Sequence, residues 1–337
     1  NVDPLLPNIA DIFTTSTYEE YAAFGNATVH LGPRFDITLG GRYSHNKQFV
    51  DQGGTGLLAP PALESRSSEG VFTWSGAAKY KVSSNVALYT RVAKGFRPGG
   101  PNLLPPNVPA GTPQTYSSDS LISYEAGIKA ETADRSFSID AAAFHIDWTD
   151  IQLFTVINNF GLNANGGKAK SDGFEFTATL RPTRGFVFSL NGAYTKARLK
   201  TDTDPNVGGL SGDPLPFTPK FNVNANVDYS WSLGGDSEAF VGASLRSLSK
   251  QRANFDAGFG ALYGLDRPII PSYEVIDLRA GVDVGRYSVE IFAKNLGNSR
   301  GITDVSTGGG LPVAPNGAIT AGIIRPRTFG ITLGAGF

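Results

Sequence analysis

The chain has 337 residues, a formal net charge of −1, 18% charged and 40% apolar residues, 41 glycines and no cysteine. That balance is too apolar for a disordered chain, poor in charge for a soluble one, and leaves no electrostatic footprint for nucleic acid. Disulfides and cysteine metal sites are excluded, and His30, His45 and His145 are too scattered for a metal-ligand spacing.

No apolar run approaches the roughly 20 residues that a membrane helix needs. Closed β-barrels also cross membranes, with a weaker signal per segment. The chain has no initiator methionine and no leader at Asn1, so it is expected to be a mature product or a fragment. In chain order, residues 1–17, rich in Pro and Asn, are expected to be the tail of an extracellular loop. Residues 18–337 carry 13 predicted strands: 18–31, 34–46, 69–82, 85–96, 119–131, 135–157, 168–181, 186–200, 219–233, 237–250, 272–284, 287–297 and 323–337. Strand 135–157 is irregular: His145 and Asp147 share a face, parity slips after Trp148, and a bulge or bend is expected.

Period-two alternation defines these segments. In Phe221–Trp231, FNVNANVDYSW, Phe221, Val223, Ala225, Val227, Tyr229 and Trp231 occupy one face, and Asn222, Asn224, Asn226, Asp228 and Ser230 the other. Phe174, Phe176, Ala178 and Leu180 repeat the pattern, as do Ile122, Tyr124, Ala126 and Ile128, and Phe329, Ile331 and Leu333. A soluble sandwich alternates too, but its strands average about 5–6 residues, whereas these run mostly 11–15.

The connections separate the two readings further. Tight turns at 32–33, 83–84, 132–134, 182–185, 234–236 and 285–286 alternate with long loops at 47–68, 97–118, 158–167, 201–218, 251–271 and 298–322. In an up-and-down barrel, alternate connections share a rim. One rim is therefore tight and periplasmic, and the other looped and extracellular. The fold class is all-β: a transmembrane antiparallel up-and-down barrel with the apolar faces toward lipid.

Aromatics on the outward parity, Trp74, Tyr80, Tyr124, Tyr229 and Trp231, are expected in the membrane-interface belts. Trp148 and Phe96, toward the loops, are expected in the outer girdle. Arg91, Glu125, Lys129, Glu175, Arg246, Arg279, Glu290 and Lys294 fall on the inner face, since charge is costly against lipid.

Six short motifs then resemble, in order, the barrel of TonB-dependent outer-membrane receptors. They are LYTRVAKGFRPGGPN at Leu88–Asn102, SYEAGIKAE at Ser123–Glu131, AAFHIDWTDIQL at Ala142–Leu153, AKSDGFEFTATLRPT at Ala169–Thr183, VEIFAKNLGNSR at Val289–Arg300 and RPRTFGITLGAGF at Arg325–Phe337. The resemblance implies a barrel of about 22 strands around a plug domain. The 13 strands here are expected to be its last ones, with the plug and first strands upstream. It also implies active uptake of a scarce nutrient such as an iron–siderophore complex, driven by the inner-membrane TonB energy transducer through an amino-terminal segment. Phe337, ending an alternating strand, is similar to the assembly signal read by the barrel-assembly machinery.

Outer-membrane lipid, lipopolysaccharide and a small-molecule ligand are the remaining expected partners; nucleic acid is not. Candidate ligand contacts are Arg97, Asn102 and Tyr116 in one long loop, and Arg252, Asn254, Phe255, Phe259 and Tyr263 in another. Arginine and aromatics there suit an anionic, aromatic iron chelator. No nucleophile elbow or phosphate loop is visible, and the Gly-rich stretch 307–310 precedes no helix, so neither enzyme nor cofactor is expected. The alternatives are a passive porin-like channel, which needs no plug, and a structural or adhesive barrel.

Overall fold

A computed structural model describes residues 10–57, 59–60, 62–104, 112–157, 160–205, 207–255, 269–306 and 320–336. Their main feature is one 13-stranded antiparallel sheet in which every strand pairs with its neighbours in chain order. The strands are β1 Asp11–Leu31, β2 Phe35–Thr55, β3 Leu63–Lys81, β4 Val86–Arg97, β5 Asp119–Glu131, β6 Phe137–Thr149 and β7 Lys168–Leu180. They continue with β8 Phe186–Leu199, β9 Phe221–Gly234, β10 Ser237–Leu248, β11 Tyr273–Val284, β12 Tyr287–Lys294 and β13 Thr328–Ala335.

The expected number of strands and their neighbour-to-neighbour order are therefore observed. The boundaries differ in four places. The last strand, expected over 323–337, runs from Thr328 to Ala335, and Thr320–Ile323 pairs instead with Ile302–Ser306. β1 starts at Asp11, so residues 11–17, expected as loop, are strand. β2 and β3 also outrun their expected limits, pairing as far as Gln52 opposite Leu63. The polar residues of 47–55 hide this extension, because a hairpin leg outside a bilayer no longer needs an apolar face. The predicted strand 135–157 breaks at Asp150, which has φ 55°. Gln152–Ile157 then pairs with Phe160–Asn165 as a separate hairpin, so the parity slip marks the expected bend, one sharp enough to end the strand, and not a bulge.

Register assigns the faces. Phe174 lies opposite Ala143 and Tyr194, and Val227 lies opposite Phe188 and Ala243, so apolar positions align across β6–β10. This face is open rather than packed: Phe174 is 49% and Leu333 76% exposed. A sandwich would have buried them. The buried apolar cluster of Ile151, Ala169, Leu199, Val207, Leu215 and Phe255 lies instead at the loop rim. On the inner face, aromatics cover cross-strand glycines. Tyr89 lies over Gly127 and Phe292 over Gly330, where an added Cβ would meet ring atoms at 2.6 and 2.2 Å.

Tight turns close the other rim. Gly234 and Gly235 both have positive φ, 102° and 58°, and Ser232–Gly234 carries a register shift that ends the β9–β10 ladder. Among the described residues, β1 pairs only with β2 and β13 only with β12. Both outer edges thus present unpaired backbone groups.

Candidate functional site

The inner face is a wet wall of mixed charge. The Arg279 guanidinium donates to Asp228 Oδ1 at 2.6 Å, approaches Glu290 at 3.7 Å and lies 5.4 Å above the Phe240 ring. Lys129 bonds Asp140. A recess of about 480 Å³ is lined by Tyr89, Glu125, Lys129, Asp140, Glu175, Asn191 and Asn224. Its side chains can bind and orient polar groups.

The looped rim folds inward over this wall. Gln52, on the inner face of β2, is almost fully buried: its amide donates to Leu104 O at 2.8 Å and accepts from Leu104 N at 2.9 Å. Gln48, on the same face of β2, donates to Gly99 O. These amides anchor the segment following β4. Gln152 holds that segment from the other side, donating to Pro98 O at 2.9 Å and Ser117 O at 3.0 Å. Buried Asp119 accepts from Arg97 Nε at 3.2 Å and from Gln152 N at 3.1 Å. Asn165 brackets Ser117, accepting from its N at 2.8 Å and donating to its O at 2.9 Å. Amide side chains serve well here because each carries a donor and an acceptor and can mimic a strand partner. Sequence reasoning missed Gln48, Gln52, Asp119, Gln152 and Asn165; single polar residues in loops carry no periodicity, and their partners lie roughly 30–55 positions away.

The expected ligand contacts are dispersed along this rim. Arg97 is half-exposed, paired to Asp119 and stacked 5.7 Å from Trp148. Asn102 is buried; its Nδ2 donates to Pro113 O at 3.2 Å and Asn163 O at 2.9 Å, and its Oδ1 accepts from Asn163 N at 3.0 Å. Its side chain works as a loop clip. Tyr116 pairs with Gly100 in a short two-stranded ladder. Arg252 pairs with Ile269, Asn254 is exposed, and Phe255 is buried in the rim cluster. Phe259 and Tyr263 lie outside the described residues, as does Phe337.

Trp74, Tyr80, Tyr124, Tyr229 and Trp231 are all exposed on the outward face, and Phe96 has the same parity opposite Ser120. Trp148 does not join them. It lies opposite Ala169 and Leu121, on the inner face, packed against the rim cluster with its Nε1 unpartnered among the described residues. His145 and Asp147 point outward, so the residue after Asp147 must point inward, where the folded-in loops cover it.

The family model for the TonB-dependent receptor-like β-barrel matches residues 1–296. The chain belongs to the TonB-dependent receptor family. Such receptors are outer-membrane proteins, so the outward apolar face is the lipid-facing one. The receptor is 30% identical to the pesticin receptor of Yersinia pestis over 225 residues, covering 67% of this chain and 32% of that protein. In fold it is similar to the ferric yersiniabactin uptake receptor FyuA of Yersinia pestis. That match has a TM-score of 0.79 and 23% identity, over 98% of this chain and 47% of that one. The ferric-catecholate import receptor Fiu of E. coli K12, in its closed form, gives a TM-score of 0.74 at 18% identity, over 96% of this chain and 45% of that one. The receptor chain thus spans about a third of the length of the curated relatives it matches and about half of these solved structures.

Proposed function

We propose that the whole protein is an active outer-membrane uptake receptor for a scarce nutrient, an iron–siderophore complex being the class its relatives favour. The observation that carries this reading is the combination of a lipid-compatible outer face, a wet charged inner face and loops anchored over the mouth. A receptor needs that arrangement: ligand is met at the loops and released along a polar path. The relatives named for ferric yersiniabactin and ferric-catecholate uptake support the substrate class.

The 13-stranded sheet is then the carboxyl-terminal part of a 22-stranded barrel. Two unpaired edges support this, because each unsatisfied backbone group facing hydrocarbon costs several kcal/mol. A plug domain fills the lumen against the charges of Arg279, Glu290, Glu125 and Lys129. The inner-membrane TonB transducer supplies the energy, since the outer membrane has none of its own. No covalent step is assigned. Arg97, Tyr116 and Asn254, which keep exposed side-chain surface, are the first ligand contacts to test. The aromatic belts hold the surrounding lipid and lipopolysaccharide, and the terminal Phe337 serves the barrel-assembly machinery.

The test is uptake of iron-loaded siderophores into cells lacking their own receptors and expressing the full-length gene, with and without TonB. TonB-dependent accumulation is expected. Equal accumulation without TonB would leave a passive channel, and none with any siderophore class would overturn the substrate assignment.

A further inference from the structure

The extracellular ends of β7 and β8 carry an unusual outward charge pattern. Lys168, Lys170 and Asp172 share the parity of Phe174, and Lys196, Arg198 and Lys200 share that of Tyr194. All six therefore point away from the lumen, on the face that meets lipid below. Phe174 and Tyr194 stack at 5.7 Å, and Tyr194 and Phe221 lie 5.0 Å apart, forming an aromatic row at the upper edge of the apolar band. The cations begin two residues beyond that row and continue for about 13 Å along the strands, at the depth of lipid headgroups.

Register makes the pattern costly. Lys170 lies directly opposite Arg198, and Lys200 N donates to Lys168 O at 2.8 Å, so two like-charged pairs face each other across one ladder. Like charges directly opposite destabilise a sheet pair. The carboxylates nearby answer only part of this: Asp147 pairs with Lys200 at 3.1 Å and Asp172 with Lys170 at 3.8 Å, while His145 bridges both acids. Lys168, Lys196 and Arg198 join no ion pair among the described residues. Elsewhere at this rim the outward cations are single: Lys47 lies opposite Glu19 and Ser68, Arg66 opposite Phe49, and Lys94 opposite Ile122. On β10 and β11 the outward positions Leu245, Ser247, Glu274 and Ile276 include no cation.

The geometry points to a docking surface for the phosphorylated sugar headgroup of an outer-leaflet glycolipid, held between Lys168, Lys170, Lys196, Arg198 and Lys200 with its acyl chains over the Phe174–Tyr194–Phe221 row. Phosphate accepts charge-assisted bonds from lysine and arginine, and a headgroup with two phosphates spans both like-charged pairs. The aromatic row argues for a lipid rather than a free anion, because the site is continuous with the surface that hydrocarbon covers. This inference rests on the outer-membrane reading and adds to it a particular site and lipid chemistry.

The test uses the full-length receptor reconstituted in phosphatidylcholine vesicles containing a minor fraction of bis-phosphorylated lipid A, or the same lipid dephosphorylated. Native mass spectrometry then counts the lipid A that each barrel retains. The wild type should retain bis-phosphorylated lipid A about tenfold better than the dephosphorylated form. The double variant Lys170→Gln with Arg198→Gln should lose that preference. Lys81→Gln, at the opposite rim, should keep it, and each barrel's heat-modifiable gel mobility reports folding. Equal retention by wild type and double variant would overturn the site. Full displacement by millimolar inorganic phosphate would overturn its assignment to lipid. If the membrane reading itself were wrong, the protein would not float with the vesicles at all, whereas failure of the site alone leaves an inserted barrel without preference.

Discussion

Replacing Val227 with arginine tests the assignment of faces most directly. Val227 lies on the outward face of β9, opposite Phe188 and Ala243. Phe221 and Trp231, on the same face, are ten residues apart. At about 3.3 Å per residue and a tilt near 40°, they lie about 25 Å apart along the membrane normal, the height of an outer-membrane apolar band. Val227 is four residues from Trp231, about 10 Å inside one boundary and about 15 Å inside the other by the same arithmetic. Arginine at such depth costs roughly 2–4 kcal/mol in barrels. Asn226→Arg, one residue earlier, points into the wet lumen and should cost less than about 1 kcal/mol, within the range of ordinary surface changes. The assay is urea-dependent folding of the full-length receptor into vesicles, followed by tryptophan fluorescence. Equal costs for the two substitutions, or a larger cost at Asn226, would refute the outward assignment and the membrane reading built on it.

Three further outcomes follow from individual contacts. Asn102→Ala removes the acceptor of the Asn163 N–H on a partly buried bond, a local loss of about 0.5–1.5 kcal/mol. Limited proteolysis should therefore cut near 97–118 faster while the barrel's thermal transition stays put; unchanged cleavage would remove Asn102 from the loop clip. Asp134 lies in a tight turn, and hydrogen bonds from the Thr132 hydroxyl and then from the Ser136 amide and hydroxyl push its pKa down to about 2. Because the folded value is depressed, this contribution is complete above the unfolded value near 3.8 and is lost as pH falls through about 2. The protection of the Ser136 amide, measured relative to its intrinsic exchange rate, should fall across that window and stay constant in Asp134→Asn; a fall confined to neutral pH would contradict the turn geometry. Gly185→Ala should cost about 1–3 kcal/mol, since φ is +81° and the added Cβ would meet Ser230 O at 2.0 Å. Vesicle folding yields that match those of an exposed-strand control such as Thr177→Ala would show the turn to be more adaptable than its φ implies.

Much of the architecture is legible in the amino-acid sequence. The alternation in FNVNANVDYSW follows from a strand wall with oil on one side and water on the other, and the observed faces match it residue by residue. The rhythm of tight turns and long loops gave the two rims for the same reason: chain reversals beside the periplasm need few residues. The loop rim was far less legible. Asn102 and Phe255 looked like surface contacts, because a sequence cannot say whether a loop residue faces solvent or its own scaffold. Trp148 was assigned to the outer girdle from its nearness to the loops, whereas alternation from the outward Asp147 turns it inward.

Local periodicity, by itself, determined the class of this protein, its strand order and which residues meet lipid. Each of those depends on a two-residue repeat imposed by the pleat and by the contrast between hydrocarbon and water. The tertiary structure alone decided the inward fold of the rim, with Gln52, Gln152 and Asn165 reaching partners about 15 to 52 residues away. It alone decided that Lys170 faces Arg198. Such pairings depend on register between distant segments, and a hydrogen bond or a charge contact between single residues leaves no periodic trace in the chain.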